Sequence, residues 1–140
     1  MKFLISMMII FTPMASHIIF DFNQNSDLKN WVIIDDVVMG GKSSSSFGLS
    51  PQGYGVFKGS ISLDNNGGFS SVRYKFERIL IKDYTKIAIK IKGDGKKYEF
   101  RLKSNSGDYY SYISSFTTNG DWQEIQIPLE NMYPSFRGRK

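Results

Sequence analysis

The chain has 140 residues, with 18 Lys and Arg against 13 Asp and Glu, a formal net charge of +5, and no cysteine. This length predicts one domain with one hydrophobic core. The lack of cysteine excludes disulfides, a thiolate nucleophile and a cysteine-ligated metal, and the charge bias is too weak for a dedicated nucleic-acid binder. We therefore predict no nucleic-acid partner.

Residues 1–16 have the layout of a secretory signal peptide. Lys2 gives a positive start, residues 3–11 are almost continuously apolar, and residues 12–16 end the run with a proline and small residues. The segment is too short to span a bilayer as a helix. We predict a cleaved signal over residues 1–16, a domain over residues 17–140, and export to the periplasm or medium. The alternative is an uncleaved segment that tethers the protein to the membrane.

The remainder is predicted to be strands, because Ile, Phe and Tyr are frequent and helical periodicity is rare. In chain order, the predicted strands are residues 17–22, 31–34, 54–63, 69–76, 86–92, 97–103, 109–117 and 122–127. About eight or nine short strands at regular spacing predict an all-β sandwich or barrel.

The clearest alternation lies in residues 86–92, where Ile87, Ile89 and Ile91 share one face and lysines occupy the other. Such a strand has one core face and one wet face. The Gly-Asp-Gly turn at residues 93–95 leads into a second alternating run, so we predict a hairpin of these two strands. We likewise predict that residues 109–117 pair with residues 122–127.

The glycine pair Gly40-Gly41 with the following Lys42-Ser43 invites comparison with a phosphate-binding loop. The comparison fails because Asp36 stands where that motif requires its opening glycine, and no helix is predicted to follow. The interpretation from the residues alone is a bulge or left-handed turn, in which Asp35, Asp36 and the nearby serines satisfy backbone donors.

Catalytic and metal-binding side chains are scarce. The sole histidine, His17, lies beside the predicted cleavage point, so a Ser-His-Asp site or an imidazole metal site is not expected. Calcium bound by Asp64, Asn65 and backbone carbonyls stays open as an alternative, since calcium takes oxygen ligands. Two convergent carboxylates would leave a carbohydrate-active enzyme as the competing function. The candidates are Asp35, Asp36, Glu77, Asp94, Glu99 and Asp108.

Basic side chains are concentrated around the predicted hairpin, with several tyrosines nearby. The alternation places the lysines on the water side of the isoleucines, so a solvated face that also blunts edge pairing is favoured over single-stranded nucleic-acid binding. The tyrosines are expected to stack on sugar rings or on a partner protein. The residues are Lys86, Lys90, Lys92, Lys96, Lys97, Arg101 and Lys103, with Tyr98, Tyr109, Tyr110 and Tyr112.

Four segments, at residues 35–47, 65–73, 93–102 and 134–139, contain glycines, serines, and aromatic and basic residues in a characteristic order. In that order and spacing, residues 20–139 resemble the complex I intermediate-associated protein 30 family. The resemblance implies a galactose-binding-domain-like jelly roll, a β-sandwich of two antiparallel sheets. The best-known family members are mitochondrial assembly factors that hold intermediates of respiratory complex I, so the resemblance implies a binding protein without catalysis.

From these observations we predict a non-catalytic domain, without cofactor or metal, that binds a protein or glycan partner. Loops 35–46 and 65–71 are expected to lie close together, because loops cluster at the ends of a sandwich. They would form a ligand rim or a rigid structural knot, and the knot is favoured. The candidate residues for binding or for structuring these loops are Trp31, Asp35, Asp36, Met39, Gly40, Gly41, Ser43, Asn66, Gly67, Gly68, Phe69, Arg73, Asp94, Tyr98 and Arg137.

One departure from the family concerns the end of the sequence. Family members continue beyond the Phe-Arg-Gly-Arg motif with further strands, whereas this sequence ends at Lys140. The expectation is a sandwich without its last strands, whose uncovered edge favours self-association or requires a partner that supplies the missing strands.

Overall fold

A computed structural model describes residues 16–35, 41–62 and 68–136, and these residues form an all-β structure with antiparallel sheets. A single 3₁₀ turn, Leu129–Asn131, accompanies the strands, and the described residues include no helix long and apolar enough to cross a membrane. The nine described strands are β1 Trp31–Asp35, β2 Ser44–Leu49, β3 Gly55–Ser60, β4 Ser70–Tyr74, β5 Lys86–Lys92, β6 Lys97–Leu102, β7 Ser111–Thr117, β8 Trp122–Pro128 and β9 Tyr133–Ser135.

The strands fall into two compact units. The N-terminal unit is Ser16–Ile79, and the described residues of the C-terminal unit begin at Leu80. In the N-terminal unit, β1 pairs with β4 and β2 pairs with β3, both antiparallel. The β2–β3 turn contains Gly53 at φ 86°, and its N–H donates to the Ser50 carbonyl at 2.9 Å. Glycine is favoured there because a three-residue hairpin loop ends in a left-handed residue.

Six aromatic side chains pack together in the N-terminal unit, and we call them the aromatic cluster. Trp31 lies at its centre, stacked on Tyr74 at 4.7 Å between ring centroids and 5.0 Å from Phe47. Tilted and edge-on contacts dominate the remainder, as ring quadrupoles favour. The members are Phe20, Phe22, Trp31, Phe47, Tyr74 and Phe76.

The C-terminal unit contains two sheets, β5–β8 and β6–β7–β9. Along β5 and β6 every second residue is half-buried and the others are exposed, as their alternating sequence predicts. Ile127 on β8 and Ile113 on β7 are only 2% and 4% exposed, and they are the buried apolar side chains of the described residues.

The predicted hairpin of β5 with β6 is wrong. β5 pairs with β8, from Lys86 opposite Pro128 to Lys92 opposite Trp122, and β6 pairs with β7, so the predicted pairing of β7 with β8 is wrong as well. The turn at residues 93–95 instead carries the chain from one sheet into the other. Alternation fixes which face of a strand is buried, but it does not fix which strand is its neighbour.

Contacts with Thr118 hold this turn in place. Thr118 is 3% exposed, accepts the Gly95 N–H at 3.0 Å and donates its hydroxyl to the Lys96 carbonyl at 2.9 Å. A side chain at Gly93 would overlap Thr118, so glycine is required there for close approach. The glycine turn predicted at residues 93–95 is therefore present, but it connects two sheets and does not form a hairpin.

Residues 17–22 do not form the predicted strand, because Phe20 and Phe22 contribute their rings to the aromatic cluster from an irregular segment. The serine-rich β2 was not among the predicted strands. The all-β class is confirmed, and the antiparallel sheets are consistent with a sandwich. The galactose-binding-like jelly-roll topology stays a prediction.

Candidate functional site

The two glycine- and serine-rich loops meet at the carboxylate of Asp35. Its Oδ2 accepts the Ser45 N–H at 3.1 Å and its Oδ1 accepts the Ser45 hydroxyl at 2.7 Å. The Ser70 hydroxyl donates to the same Oδ1 and also contacts Ser45 Oγ. We call Asp35, Ser45 and Ser70 the serine–aspartate knot. It confirms that the loops lie close together, as far as the structure describes them.

Strand pairing explains why these three residues meet. Asp35 is the last residue of β1 and lies opposite Ser70, the first residue of β4. Ser45 is the second residue of β2. Its half-buried side chain lies on the face of the strand opposite the exposed Ser44 and Ser46. A carboxylate can accept several hydrogen bonds at once, so one aspartate ties three strands together.

Ser43 adds a second tie at the start of β2. It is fully buried, its Oγ accepts the Ser62 N–H at 2.8 Å, and it donates to the Ser62 carbonyl at 3.2 Å. Gly41 is buried beside it, and Gly68 adopts φ 125° just before β4. The Ser43 hydroxyl therefore satisfies the backbone N–H and carbonyl of Ser62, beyond the end of the β2–β3 ladder.

The remaining predicted site residues of the N-terminal unit are distributed over different surroundings. Trp31 lies in the aromatic cluster, Phe69 is half-buried before β4, and Arg73 is exposed with its Nε 3.4 Å from Ser71 Oγ. Six predicted residues lie outside the described ranges: Asp36, Met39, Gly40, Asn66, Gly67 and Arg137. The calcium alternative at Asp64 and Asn65 also lies outside them, and no group of three or more His, Asp or Glu that could hold a metal occurs among the described residues.

Asp94 and Tyr98 were both predicted as site residues, and the C-terminal unit brings them together. The Tyr98 hydroxyl donates to Asp94 Oδ1 at 2.7 Å, and the same oxygen accepts the Lys96 N–H at 3.2 Å. Burial and then the bond to Asp94 raise the pKa of Tyr98 to about 12. The bond from Tyr98 lowers the pKa of Asp94 below its ordinary value. The pair closes the residue 93–97 turn.

The raised pKa of Tyr98 predicts a distinct alkaline titration. The neutral phenol is favoured in the folded protein, so its contribution to stability is present below about pH 10 and is lost as pH rises through about 12. The phenolate absorbance of the protein minus that of Tyr98→Phe should therefore show a midpoint near 12. In Asp94→Asn the midpoint should fall but stay above the ordinary value, since burial remains. A midpoint that Asp94→Asn leaves unchanged would contradict the pairing.

Four aromatic rings line one region of the C-terminal unit, and we call Tyr109, Tyr110, Tyr112 and Phe136 the aromatic patch. Neighbouring rings meet edge to face, with centroids 5.7, 5.2 and 5.4 Å apart along the order Tyr112, Tyr110, Tyr109, Phe136. Tyr109 is 75% exposed and Phe136 is 42% exposed. The expectation of exposed tyrosines holds for Tyr109, whereas Tyr110 and Tyr112 are half-buried. The contact with Phe136 depends on the β7–β9 register, which the sequence does not show.

Of the five described carboxylates that the competing enzyme hypothesis could use, Glu77 is exposed and the other four have local structural partners. Asp35 belongs to the knot and Asp94 bonds Tyr98. Glu99 pairs with Arg101 at 2.7 Å, and Asp108 accepts the Asn105 N–H at 3.2 Å. Asp35, Asp94 and Asp108 therefore fix turns or strand ends, and Glu99 pairs with a neighbour on β6.

Comparison with known proteins agrees with the resemblance of the sequence motifs. Residues 20–140 match the profile of the family described as "Complex I intermediate-associated protein 30 (CIA30)". A Drosophila melanogaster protein named "Complex I intermediate-associated protein 30, mitochondrial" is 28% identical, with 94% of this chain and 52% of the relative aligned. The Mus musculus protein of the same name is 24% identical, with 89% and 44% aligned. The chain thus spans about half the length of these relatives. Because the family profile covers nearly the whole sequence, the chain belongs to the complex I intermediate-associated protein 30 family.

Proposed function

We propose that this domain is a non-catalytic binding module that holds a protein partner, in the manner of an assembly factor. The names of both relatives describe association with an intermediate of complex I, which supports a role in holding another protein. The relatives are about twice as long as the aligned region, so the partner of this chain is proposed from its own surface.

The observation that carries the proposal is the exposed aromatic patch. Tyrosine offers a large, rigid contact area with a polar hydroxyl at low entropic cost, and aromatic residues are enriched at protein interfaces. Tyr109 exposes three quarters of its surface beside Phe136, so both rings are accessible for a partner to cover. Hydrogen bonding with Tyr112 raises the pKa of Tyr110.

A glycan partner and a carbohydrate-active enzyme are the competing functions. Sugar rings also stack on exposed tyrosines, but four candidate carboxylates are bound to serines, tyrosine, arginine or backbone N–H groups. They are Asp35, Asp94, Glu99 and Asp108. Those contacts favour structural roles for the acids over a catalytic pair. We also propose that the protein is exported, so its partner should be sought in the cell envelope or the medium.

The test is a capture experiment from the envelope fraction of the native cells, followed by affinity measurement with each purified partner. Tyr109→Ala should weaken binding about tenfold or more, the loss expected at an aromatic hot spot. Tyr54→Ala is the matched control, since Tyr54 is 48% exposed in the N-terminal unit and should leave the affinity unchanged.

Three outcomes would contradict the proposal. Equal affinity of the Tyr109→Ala and Tyr54→Ala proteins would remove the patch from the interface. Binding on a glycan array with no protein captured would favour the glycan alternative. Turnover in a hydrolysis screen that is abolished by Asp35→Asn would establish an enzyme.

A further inference from the structure

We infer that the outer edge of β3 is a docking site for an extended, acidic strand of a partner protein, which would add to the β2–β3 hairpin as a third strand. This edge lies in the N-terminal unit and is independent of the aromatic patch, which lies in the C-terminal unit. Its basis is the direction of the β3 backbone groups, the exposure of the strand and the charge of Lys58.

The hydrogen-bond pattern of the hairpin determines which residues face outward. The Ser50 N–H donates to the Tyr54 carbonyl at 2.8 Å, and these two residues continue the β2–β3 register. Bonded and non-bonded pairs alternate along an antiparallel ladder, so Val56, Lys58 and Ser60 direct their backbone groups toward β2. Phe57 and Gly59 direct theirs toward the outer edge.

An independent contact supports this assignment. Ser45 lies opposite Gly59, and the alternation makes them a non-bonded pair. The Ser45 N–H should then point away from β3, and it does, since it donates to Asp35 Oδ2 at 3.1 Å. The opposite member, Gly59, therefore points its own N–H and carbonyl outward.

The outer edge is accessible. Every residue of β3 after Gly55 is exposed, including Val56 at 40% and Phe57 at 37%. In the part of the chain that the structure describes, β2 is the only strand paired with β3, and the backbone of Phe57 and Gly59 makes no other hydrogen bond. Two residues thus present N–H and carbonyl groups in the spacing of a strand template.

Charge determines the kind of strand that fits. Lys58 is exposed on the face of the hairpin that also carries Ser44, Ser46 and Ser60. It makes no ion pair with any described residue. Lys58 borders a shallow depression of about 490 Å³. Its other lining residues are Ser44, Ser45, Ser46, Gly59 and Ser60. Hydroxyl and ammonium groups donate hydrogen bonds to a carboxylate. Lys58 and the guest residue opposite it would form a non-hydrogen-bonded pair, in which the two side chains lie close together. An acidic guest residue therefore fits this position.

The other face of the added strand should be apolar. Phe57 lies opposite Phe47, a member of the aromatic cluster, so a guest side chain opposite Phe57 would extend that apolar layer. A second copy of this chain fits less well, because two β3 strands would bring their Lys58 side chains into the same narrow strip.

The experiment uses the full chain labelled with ¹⁵N and a synthetic probe peptide of alternating valine and threonine with one central glutamate. One control peptide is N-methylated at the amides that would face β3, and another has lysine in place of the glutamate. On saturation with the probe, amide exchange of Phe57 and Gly59 should slow about tenfold or more, while the already bonded Lys58 amide should change little. The methylated peptide should not bind.

A charge reversal tests the assigned polarity. Lys58→Glu should weaken binding of the glutamate peptide about fivefold to tenfold and should favour the lysine peptide. Tyr109→Ala is the matched control and should leave peptide binding unchanged, so failure here and failure of the aromatic patch are distinguishable. Equal binding of the methylated peptide, no binding of the glutamate peptide, or no preference change in Lys58→Glu would overturn the inference. Protection of Phe57 that rises with protein concentration without peptide would overturn it in favour of a second copy.

Discussion

Replacing Asp35 by alanine should lower the free energy of unfolding by about 3 kcal/mol, because three half-buried donors lose their acceptor together. These donors are the Ser45 N–H, the Ser45 hydroxyl and the Ser70 hydroxyl. Hydrogen bonds to a charged group are stronger than neutral ones, and each partner left unsatisfied adds a desolvation cost. Urea unfolding followed by far-ultraviolet circular dichroism measures the loss.

Graded variants separate the knot from a general effect of charge. Ser45→Ala and Ser70→Ala should each cost about 1 kcal/mol, since each removes one hydroxyl and leaves the carboxylate otherwise bonded. Asp21→Ala is the matched control, because Asp21 is an exposed aspartate of the same unit and should change stability by less than about 0.5 kcal/mol. If Asp35→Ala unfolds like the wild type but loses partner binding, the loops form a ligand rim and the knot is wrong.

The general role of this motif could be predicted from the sequence, but its hydrogen bonds could not. Paired glycines followed by serines indicate tight backbone geometry, and the clustering of loops in a sandwich predicted that the two motifs meet. The identity of the partners depends on the β1–β4 register, which places Ser70 opposite Asp35. Register is set by the packing of whole strands, so no local pattern indicated which serine would reach the carboxylate.

The positions of strands could be predicted from local alternation, but their neighbours could not, because pairing depends on contacts between distant parts of the chain. The alternation of isoleucine with lysine located β5 at Lys86–Lys92 and gave its half-buried face. Its neighbour is β8, and choosing β8 over the adjacent β6 requires contacts between distant parts of the chain. The turn at residues 93–95 looks like a hairpin turn in sequence, but the pairing of β5 with β8 and of β6 with β7 makes it a crossing between sheets.

Trp31 was predicted as a residue of a binding or structural loop, and its position in the aromatic cluster explains what it does. Trp31→Ala should lower the free energy of unfolding by about 3–4 kcal/mol, the range for deleting a large aromatic side chain from a core. The indole contacts Phe20 and Phe22 at 5.3 Å, Phe47 at 5.0 Å and Tyr74 at 4.7 Å between centroids. Urea unfolding measures the loss, and Trp122 should retain its native emission in the folded variant.

Trp31→Phe tests whether the ring or the indole N–H matters. The buried Nε1 of Trp31 has no hydrogen-bond partner among the described residues, and a buried donor without a partner costs about 1–3 kcal/mol. Phenylalanine keeps a ring for Tyr74 and Phe47 to pack against and removes that donor, so the two changes should largely cancel. We expect a net loss of about 1 kcal/mol or less. If Trp31→Phe is as destabilising as Trp31→Ala, the indole N–H makes a stabilising contact, and Trp31 contributes to the fold through that hydrogen bond as well as through packing.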